Sequence, residues 1–469
     1  MRYKIFKFFF DLLLLDFLIL LYIASFIGSF ISLYHLLNYS ITKKEFKSKK
    51  INYPKVAIIV PAFNEEDNIE DTLISLASLD YPKEKLKIIV VDDGSKDNTY
   101  KKALKVARIL NNKYKINLIE VYKKKNGGKA DALNFGIKKV LDKVKYIVCM
   151  DADSIVKSDA LKKMIEKIEF LPEEYVACVS AMNVYKPKTM NQKFQALEYY
   201  INNALRKTYN KGNLLYVTPG PFSLYRAKLF KEIGLFKHHI TEDAELGIRI
   251  QANGKKIFFV EDSLVYTKTP LNFKTLFKQR LRWYLGGFDI QISYFKKLFK
   301  TNKFLLFTVF FPFWFYIFYS PILLYYLVKD YFKEFYYIIK ELFIAKFEYY
   351  YIIKAYFRNY ELNFNIFDFH VSYFYFFISL IFVLIYLYLA RNTIKKEDLK
   401  HLEIKKLGIL TLFFWIVLFI LIYGFYFLLF YLSVFYYKIL GKELRFGNVL
   451  WKNSLKNKLI SKLNLLIKK

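Results

Sequence analysis

Cysteine, histidine and acidic side chains are scarce in this 469-residue sequence, and each shortage removes a class of function. The two cysteines, Cys149 and Cys178, lie inside apolar runs, so there is no disulfide framework and no Cys/His spacing for a structural metal. They read as buried, reduced thiols. His238 and His239 are the one adjacent pair among five histidines. Neighbouring residues seldom chelate one ion, and the pair reads as surface loop. No Gly-x-Gly-x-x-Gly follows the first strand-like run and no Walker pattern occurs, which argues against dinucleotide enzymes and P-loop ATPases.

The deficit of acids, 41 against 74 basic residues, leaves a formal net charge of +33. Such a charge would suit a nucleic-acid backbone. However, Lys, Ile, Asn, Phe and Tyr are all in excess together, as an AT-rich coding sequence would give without selection. The lysines also gather at Lys43–Lys50, Lys395–Lys406 and Lys438–Lys469, where a membrane protein carries them. No nucleic-acid partner is expected.

Apolar residues, by contrast, are abundant, at 55% hydrophobic and 20% aromatic. Phe8–Leu37 is long enough to span a bilayer, too long for a secretory h-region, and lacks a small-residue cleavage site, so it reads as an anchor. Phe304–Val328, Val371–Ala390 and Gly408–Tyr437 are further candidate spans, the first bent by Pro312 and Pro321. The charged, aromatic stretch from Lys329 to His370 reads as interfacial. The positive-inside tendency puts the basic loops, and the domain between Lys43 and Lys303, in the cytoplasm. One N-terminal and three C-terminal spans would leave the basic tail outside. Either the last span turns back near Gly424 or part of 329–370 enters the membrane.

Between about Pro54 and Pro270 the pattern changes. A β-branched run at Val56–Val60, a helical stretch at Glu65–Leu79, a run at Lys87–Val91 and a helical stretch at Asn98–Leu110 alternate. This is the βαβ rhythm of a doubly wound α/β sheet, whose ligands bind beyond the carboxyl ends of the strands. Three consecutive ends carry acids: Pro61-Ala62-Phe63-Asn64-Glu65-Glu66, Asp92-Asp93-Gly94-Ser95 and Asp151-Ala152-Asp153. Any one of them could be a solvated strand cap, but three together point to a ligand crevice. Asp151 and Asp153, spaced i, i+2, present both carboxylates on one side, and hard oxygen ligands suit Mg²⁺ or Mn²⁺. In Asn126-Gly127-Gly128-Lys129 two glycines would let the backbone approach a ligand, and Lys129 at a helix start could meet a phosphate. From Leu271 to Lys300, Leu276, Leu281, Leu285 and Phe288 alternate with basic residues as in an amphipathic interfacial helix.

Taken in order, Val56–Asn64, Val91-Asp92-Asp93-Gly94-Ser95, the Gly-Gly-Lys-Ala loop, Asp151-Ala152-Asp153, Thr241-Glu242-Asp243 and Gln279-Arg280-Leu281-Arg282-Trp283 resemble the motif set of family 2 glycosyltransferases. The likeness is to the membrane-embedded branch with hyaluronan, chitin, cellulose and poly-N-acetylglucosamine synthases, and it covers roughly residues 54–290. It implies the GT-A nucleotide-sugar fold, a mixed, mostly parallel sheet, here flanked by transmembrane helices.

The resemblance also implies roles. Asp243 is the base of an inverting transfer, set in the first turn of a helix that Thr241 caps and that runs to about Gly254. Asp151 and Asp153 hold Mg²⁺ or Mn²⁺ on the donor diphosphate. Pro61, Ala62, Asn64, Glu65, Asp92, Asp93, Lys129 and Asp151 bind the nucleotide sugar, a UDP-sugar being the favoured donor. Glu242, Gly220, Gln279, Arg282 and Trp283 serve the acceptor and diphosphate, although Pro219 and Pro221 around Gly220 depart from the commonest pattern.

The expected organisation is an anchor and basic linker (1–50), a cytoplasmic catalytic domain (51–270), an amphipathic interface helix (271–302), a C-terminal membrane region (303–437) and a basic tail (438–469). The expected enzyme is a multi-pass protein of the cell membrane that makes a polysaccharide from a nucleotide sugar, its partners being the donor, the growing glycan and the bilayer. One transfer to a lipid acceptor, polyprenyl phosphate or diacylglycerol, is the alternative reaction. A non-catalytic membrane scaffold is the alternative class, against which the intact acidic and Gln-x-x-Arg-Trp motifs argue. A transporter is disfavoured by spans nearly free of ionisable residues.

Overall fold

A computed structural model describes residues 52–311, positions 336 and 340, and the short strands β9 (Leu444–Phe446) and β10 (Val449–Trp451), which pair antiparallel. The chain divides into two compact units, residues 1–36 with 307–386 and residues 37–306 with 387–469. The candidate spans lie outside the described residues except for 304–311, as does the stretch 329–370 apart from the two isolated positions. Among the described residues, no helix is long and apolar enough to cross a membrane.

Within the second unit, β1 (Val56–Ala62), β2 (Leu86–Asp92), β3 (Ile119–Lys123), β4 (Tyr146–Cys149), β5 (Ser154–Val156), β6 (Tyr175–Val184), β7 (Ser223–Arg226) and β8 (Lys256–Thr267) form one sheet, ordered β3-β2-β1-β4-β7-β6-β8-β5. Among the described residues, the helices of six residues or more are α1 (Ile69–Ala77), α2 (Thr99–Tyr114), α3 (Lys129–Val140), α4 (Ala160–Phe170), α5 (Met190–Gly212), α6 (Ala227–Glu232), α7 (Glu242–Ala252) and α8 (Phe273–Thr301). β1 is apolar on both faces because helices cover both, as a central parallel strand requires. Ile58 and Val60 belong to one buried layer with Leu73 and Leu76 of α1 and Leu161 and Ile165 of α4. Ala57 and Ile59, pointing the other way, pack on α3 and belong to a second buried layer with its Leu133 and Ile137 and with Leu246 and Ile250 of α7. Full burial of such a side chain contributes roughly 2 kcal/mol.

Register places the site. β1 runs parallel to β2, pairing Ala62 with Asp92, and parallel to β4, pairing Ile59 with Cys149. The three acid-bearing ends therefore lie side by side. β7 runs antiparallel to β4 with Cys149 opposite Ser223, so the chain entering β7 at Gly220 meets the chain leaving β4 at Asp151. The sheet is mixed: β5 and β7 run against their neighbours and the other pairings are parallel.

Two boundaries differ from the sequence reading. The helix expected from Glu65 begins at Ile69, because Asn64 sits in the left-handed region (φ 56°) and the Glu65 amide donates to Thr99 Oγ1 (2.7 Å), holding 63–68 as a loop. The helix expected to end at Leu110 continues to Tyr114.

Candidate active site

At the ends of β1 and β2 the chain is tied down before it reaches the cleft. The Asn64 amide donates to Ser95 Oγ (2.9 Å) and Asn64 Oδ1 accepts from the Lys96 amide (3.0 Å), joining the two loops. Asp92 is fully buried and accepts from the Ser95 amide (3.3 Å). Asp93 accepts from the Gly127 and Gly128 amides (3.0 and 2.7 Å) and from Lys124 Nζ (2.8 Å). Asp93 thus shapes the loop that launches α3, in which Gly128 needs its φ of 91°.

Lys129, the first residue of α3, points its Nζ between Asp151 Oδ1 (2.6 Å) and Glu242 Oε1 (3.3 Å). Burial disfavours its charge, but the carboxylates of Asp151, Glu242 and Asp243 outweigh that, and its pKa is raised. Asp153 responds oppositely: burial first, then Asp151 and Glu65, push its carboxyl up to about 7. Glu65 and Glu242 are raised chiefly by burial as well. A divalent cation would relieve this crowding. Asp151 and Asp153 supply two hard oxygen donors, and among the described residues no third His, Cys, Asp or Glu joins them. That fits Mg²⁺ or Mn²⁺, which keep sites open for phosphate oxygens and water.

Asp243 stands in the first turn of α7, half-buried, its Oδ2 accepting from the Gly220 amide (3.3 Å) and its backbone carbonyl from Thr218 Oγ1 (2.9 Å). The helix ends at Ala252, and Thr241 does not cap it with its side chain. The Thr241 hydroxyl turns instead to His239 Nδ1 (3.1 Å). Arg282 Nη1 donates to the Ile240 carbonyl (3.0 Å). Behind it Arg280 is buried, ion-paired to Glu198, stacked on Trp283 (4.1 Å to the ring centre) and bonded to Gln279 Oε1 (3.2 Å).

These groups surround a cleft of about 380 Å³. Of the residues named from the sequence, Pro61, Ala62, Glu65, Asp93, Lys129, Asp151, Asp153, Glu242 and Arg282 line it. Asn64, Asp92, Gly220, Asp243, Gln279 and Trp283 do not. Gly220 and Asp243 stand immediately behind the lining, since a Cβ on Gly220 would lie 2.6 Å from Lys129 Nζ and 2.8 Å from Asp151 Oδ2.

Residues 54–286 match the model of the glycosyltransferase-like family 2. The chain carries a family 2 glycosyltransferase domain. Poly-beta-1,6-N-acetyl-D-glucosamine synthase of Staphylococcus epidermidis is 29% identical over 267 residues, 56% of this chain and 62% of that protein. The synthase of Staphylococcus aureus strain MSSA476 is 30% identical over 258 residues, 55% and 60% respectively. The chain thus matches less than two thirds of the length of these curated relatives. The mannosyltransferase PcManGT from Pyrobaculum calidifontis, solved with GDP-Man and Mn²⁺, shares the fold at a TM-score of 0.50 and 19% identity, over 80% of this chain and 96% of that one. The glycosyltransferase domain has the GT-A-like α/β fold.

Inside this glycosyltransferase domain the structure adds residues that sequence reasoning passed over. His238 and His239 are not merely surface loop: both line the cleft, because Arg249 on α7 binds the carbonyls of Ile233, Gly234 and Leu235 and draws the following loop inward. Gly286 lets α8 cross α7 closely, since a Cβ there would lie 2.6 Å from Thr241 Cγ2. Tyr294 donates to Glu245, which also pairs with Arg249 (3.1 Å). A Gly-Gly pair inside a long amphipathic helix was the available signal for the crossing. Nothing in the spacing marked the histidines. Both cysteines are buried free thiols, as expected.

Proposed function

We propose that the chain is a membrane-bound, inverting glycosyltransferase that takes a UDP-sugar from the cytoplasm and extends a polysaccharide. The carrying observation is the convergence of Lys129, Asp151, Asp153, Glu242 and Arg282 on one cleft, with Asp243 directly behind it. Lys129 and Arg282 supply positive charge for a diphosphate leaving group. Asp243 accepts the proton of the acceptor hydroxyl as that oxygen bonds the anomeric carbon and the bond from that carbon to the diphosphate breaks. Gly220 holds the Asp243 carboxylate by one amide hydrogen bond. Mg²⁺ or Mn²⁺ bound by Asp151 and Asp153 would offset the charge that develops on the leaving group. The relatives named above favour UDP-N-acetylglucosamine as donor and a β-linked N-acetylglucosamine polymer as product. The long apolar stretches outside the described residues would hold the enzyme in the membrane.

Full-length protein in lipid nanodiscs is offered UDP-N-acetylglucosamine, UDP-glucose, UDP-glucuronate and GDP-mannose with Mg²⁺ or Mn²⁺, and released nucleoside diphosphate and labelled product are followed. Metal-dependent release of UDP with a large, glycosidase-sensitive product is expected. A product carrying one sugar on a solvent-extractable lipid would replace polymerisation by single transfer, and no release from any donor would overturn the activity.

A further inference from the structure

Helix α8 grips the loop before α7 at successive turns. Arg282 Nη1 donates to the carbonyl of Ile240, Gly286 abuts Thr241, Asp289 faces His239, and Tyr294 Oη meets Lys237 Nζ at 2.8 Å. His239 sits in the middle of this seam. The Thr241 backbone amide donates to His239 Nδ1 at 3.1 Å. A peptide nitrogen can only donate, so Nδ1 offers a lone pair and the ring hydrogen sits on Nε2. Among the described residues Nε2 is sealed from solvent without a hydrogen-bond partner, and the anion paired with it is Asp289 Oδ2 at 3.6 Å.

Asp289, His239 and the Thr241 hydroxyl, also 3.1 Å from Nδ1, stand in the order of an activated nucleophile. That role is excluded by burial: Thr241 is 4% exposed and lies under Gly286, where no substrate carbon reaches its oxygen. What remains is geometry. Thr241 directly precedes Glu242 and Asp243, and instead of capping α7 its side chain is held by the histidine.

We propose that His239, in its Nε2-protonated form and backed by Asp289, is a positioning residue that fixes Thr241 and thereby sets Glu242 and Asp243 against Arg282. Without the ring, the first turn of α7 loses one of its ties to α8, while the groups on β1, β4 and α3 that face the donor stay in place. The loss then falls more on turnover than on donor binding. This rests on the glycosyltransferase reading for its kinetic arm only.

The test uses the full-length protein in nanodiscs with ¹⁵N-labelled histidine, of which there are five. Long-range ¹H–¹⁵N spectra, with the His239 signals assigned by their loss in His239→Asn, should show an unprotonated Nδ1 and a protonated Nε2. In the kinetic arm, His239→Ala should lower kcat for UDP-N-acetylglucosamine by about tenfold or more, as misplacement of a reacting group does. Donor KM should change less than kcat, because the donor-facing groups on β1, β4 and α3 are not displaced. His239→Asn, whose Oδ1 takes the place of Nδ1, should recover most of the rate. A proton on Nδ1 overturns the proposal, as does a rise in KM at unchanged kcat, or an equal loss in the Asn and Ala variants. If the unmodified protein turns over no nucleotide sugar, the functional reading fails and the tautomer alone decides the positioning claim.

Discussion

The amide of Gly220 donates to the carboxylate of Asp243 across 3.3 Å, and the same glycine leaves no room for a side chain beside Lys129 and Asp151. One residue of the chain entering β7 therefore touches both the base assigned to the acceptor and the charges assigned to the donor. Gly220→Ala should push Lys129 and Asp151 apart while sparing the fold. We expect kcat/KM for the donor to fall by about 100-fold, from misplacement on the scale of an ångström. Circular dichroism should remain that of the parent, and near-parental kcat/KM would show that the contact yields freely.

Asp243→Asn keeps the shape of the side chain and the amide contact but removes the proton acceptor. Transfer should fall by about 10³-fold, within the range for loss of a general base. Titration calorimetry with UDP should give an affinity within about threefold of the parent, because Asp243 does not line the cleft. Near-normal turnover would sink the assignment.

Lys129 is held between Asp151 and Glu242, so Lys129→Met leaves those carboxylates facing one another. Transfer should drop by about 100-fold, as when a preorganised electrostatic partner is lost. The variant should also lean harder on metal for stability. Differential scanning fluorimetry with and without Mn²⁺ should show a larger gain in melting temperature than in the parent protein, and an equal gain would argue that the metal and the lysine do not share the same carboxylates.

Chelation by EDTA should abolish UDP release, and added Mg²⁺ or Mn²⁺ should restore it. Asp153→Asn removes a buried carboxyl whose pKa is pushed up by burial and by Asp151, so the metal-free variant should melt no lower than the parent. Its metal-dependent activity should nevertheless be lost. A variant that still needs and uses Mn²⁺ at the parental concentration would remove Asp153 from the ligand set.

Gly286→Val should cost about 2 kcal/mol, the usual penalty for overpacking a tight crossing. A denaturation midpoint measured in detergent checks this, and an unchanged midpoint would mean that α8 slides without strain.

The strands and the acids at their ends were legible in the sequence because both follow from local rules. A β-branched run of five residues between polar loops has few alternatives to a buried strand, and β1 and β2 extended the expected runs by only a residue or two. What local rules do not contain is the return of the chain. That β7 would lie antiparallel to β4, carrying Gly220 to Asp151, depends on strand order and could not be read from spacing. The start of α1 was misplaced for a related reason. Glu65 and Glu66 favour a helix by composition, but the amides of Asn64, Glu65 and Glu66 donate to Ser95, Thr99 and Asp97 and override it. His239 illustrates the third gap. Its partners are a backbone amide two residues on and a side chain fifty residues away, and only folding makes them a set.

Cys149 and Cys178 lie in the middle of the sheet, in β4 and β6, with their thiols buried and their pKa values raised chiefly by that burial. Being the chain's entire complement of thiols, they make a native clock of strand separation. A small alkylating reagent added to the folded protein can react only as fast as the sheet opens, since thiolate formation requires exposure. Cys149 stands two residues before Asp151, so its labelling rate would report strand separation at the donor end of the sheet, and donor or metal that stabilises that end would slow Cys149 while leaving Cys178 to report on the rest of the sheet.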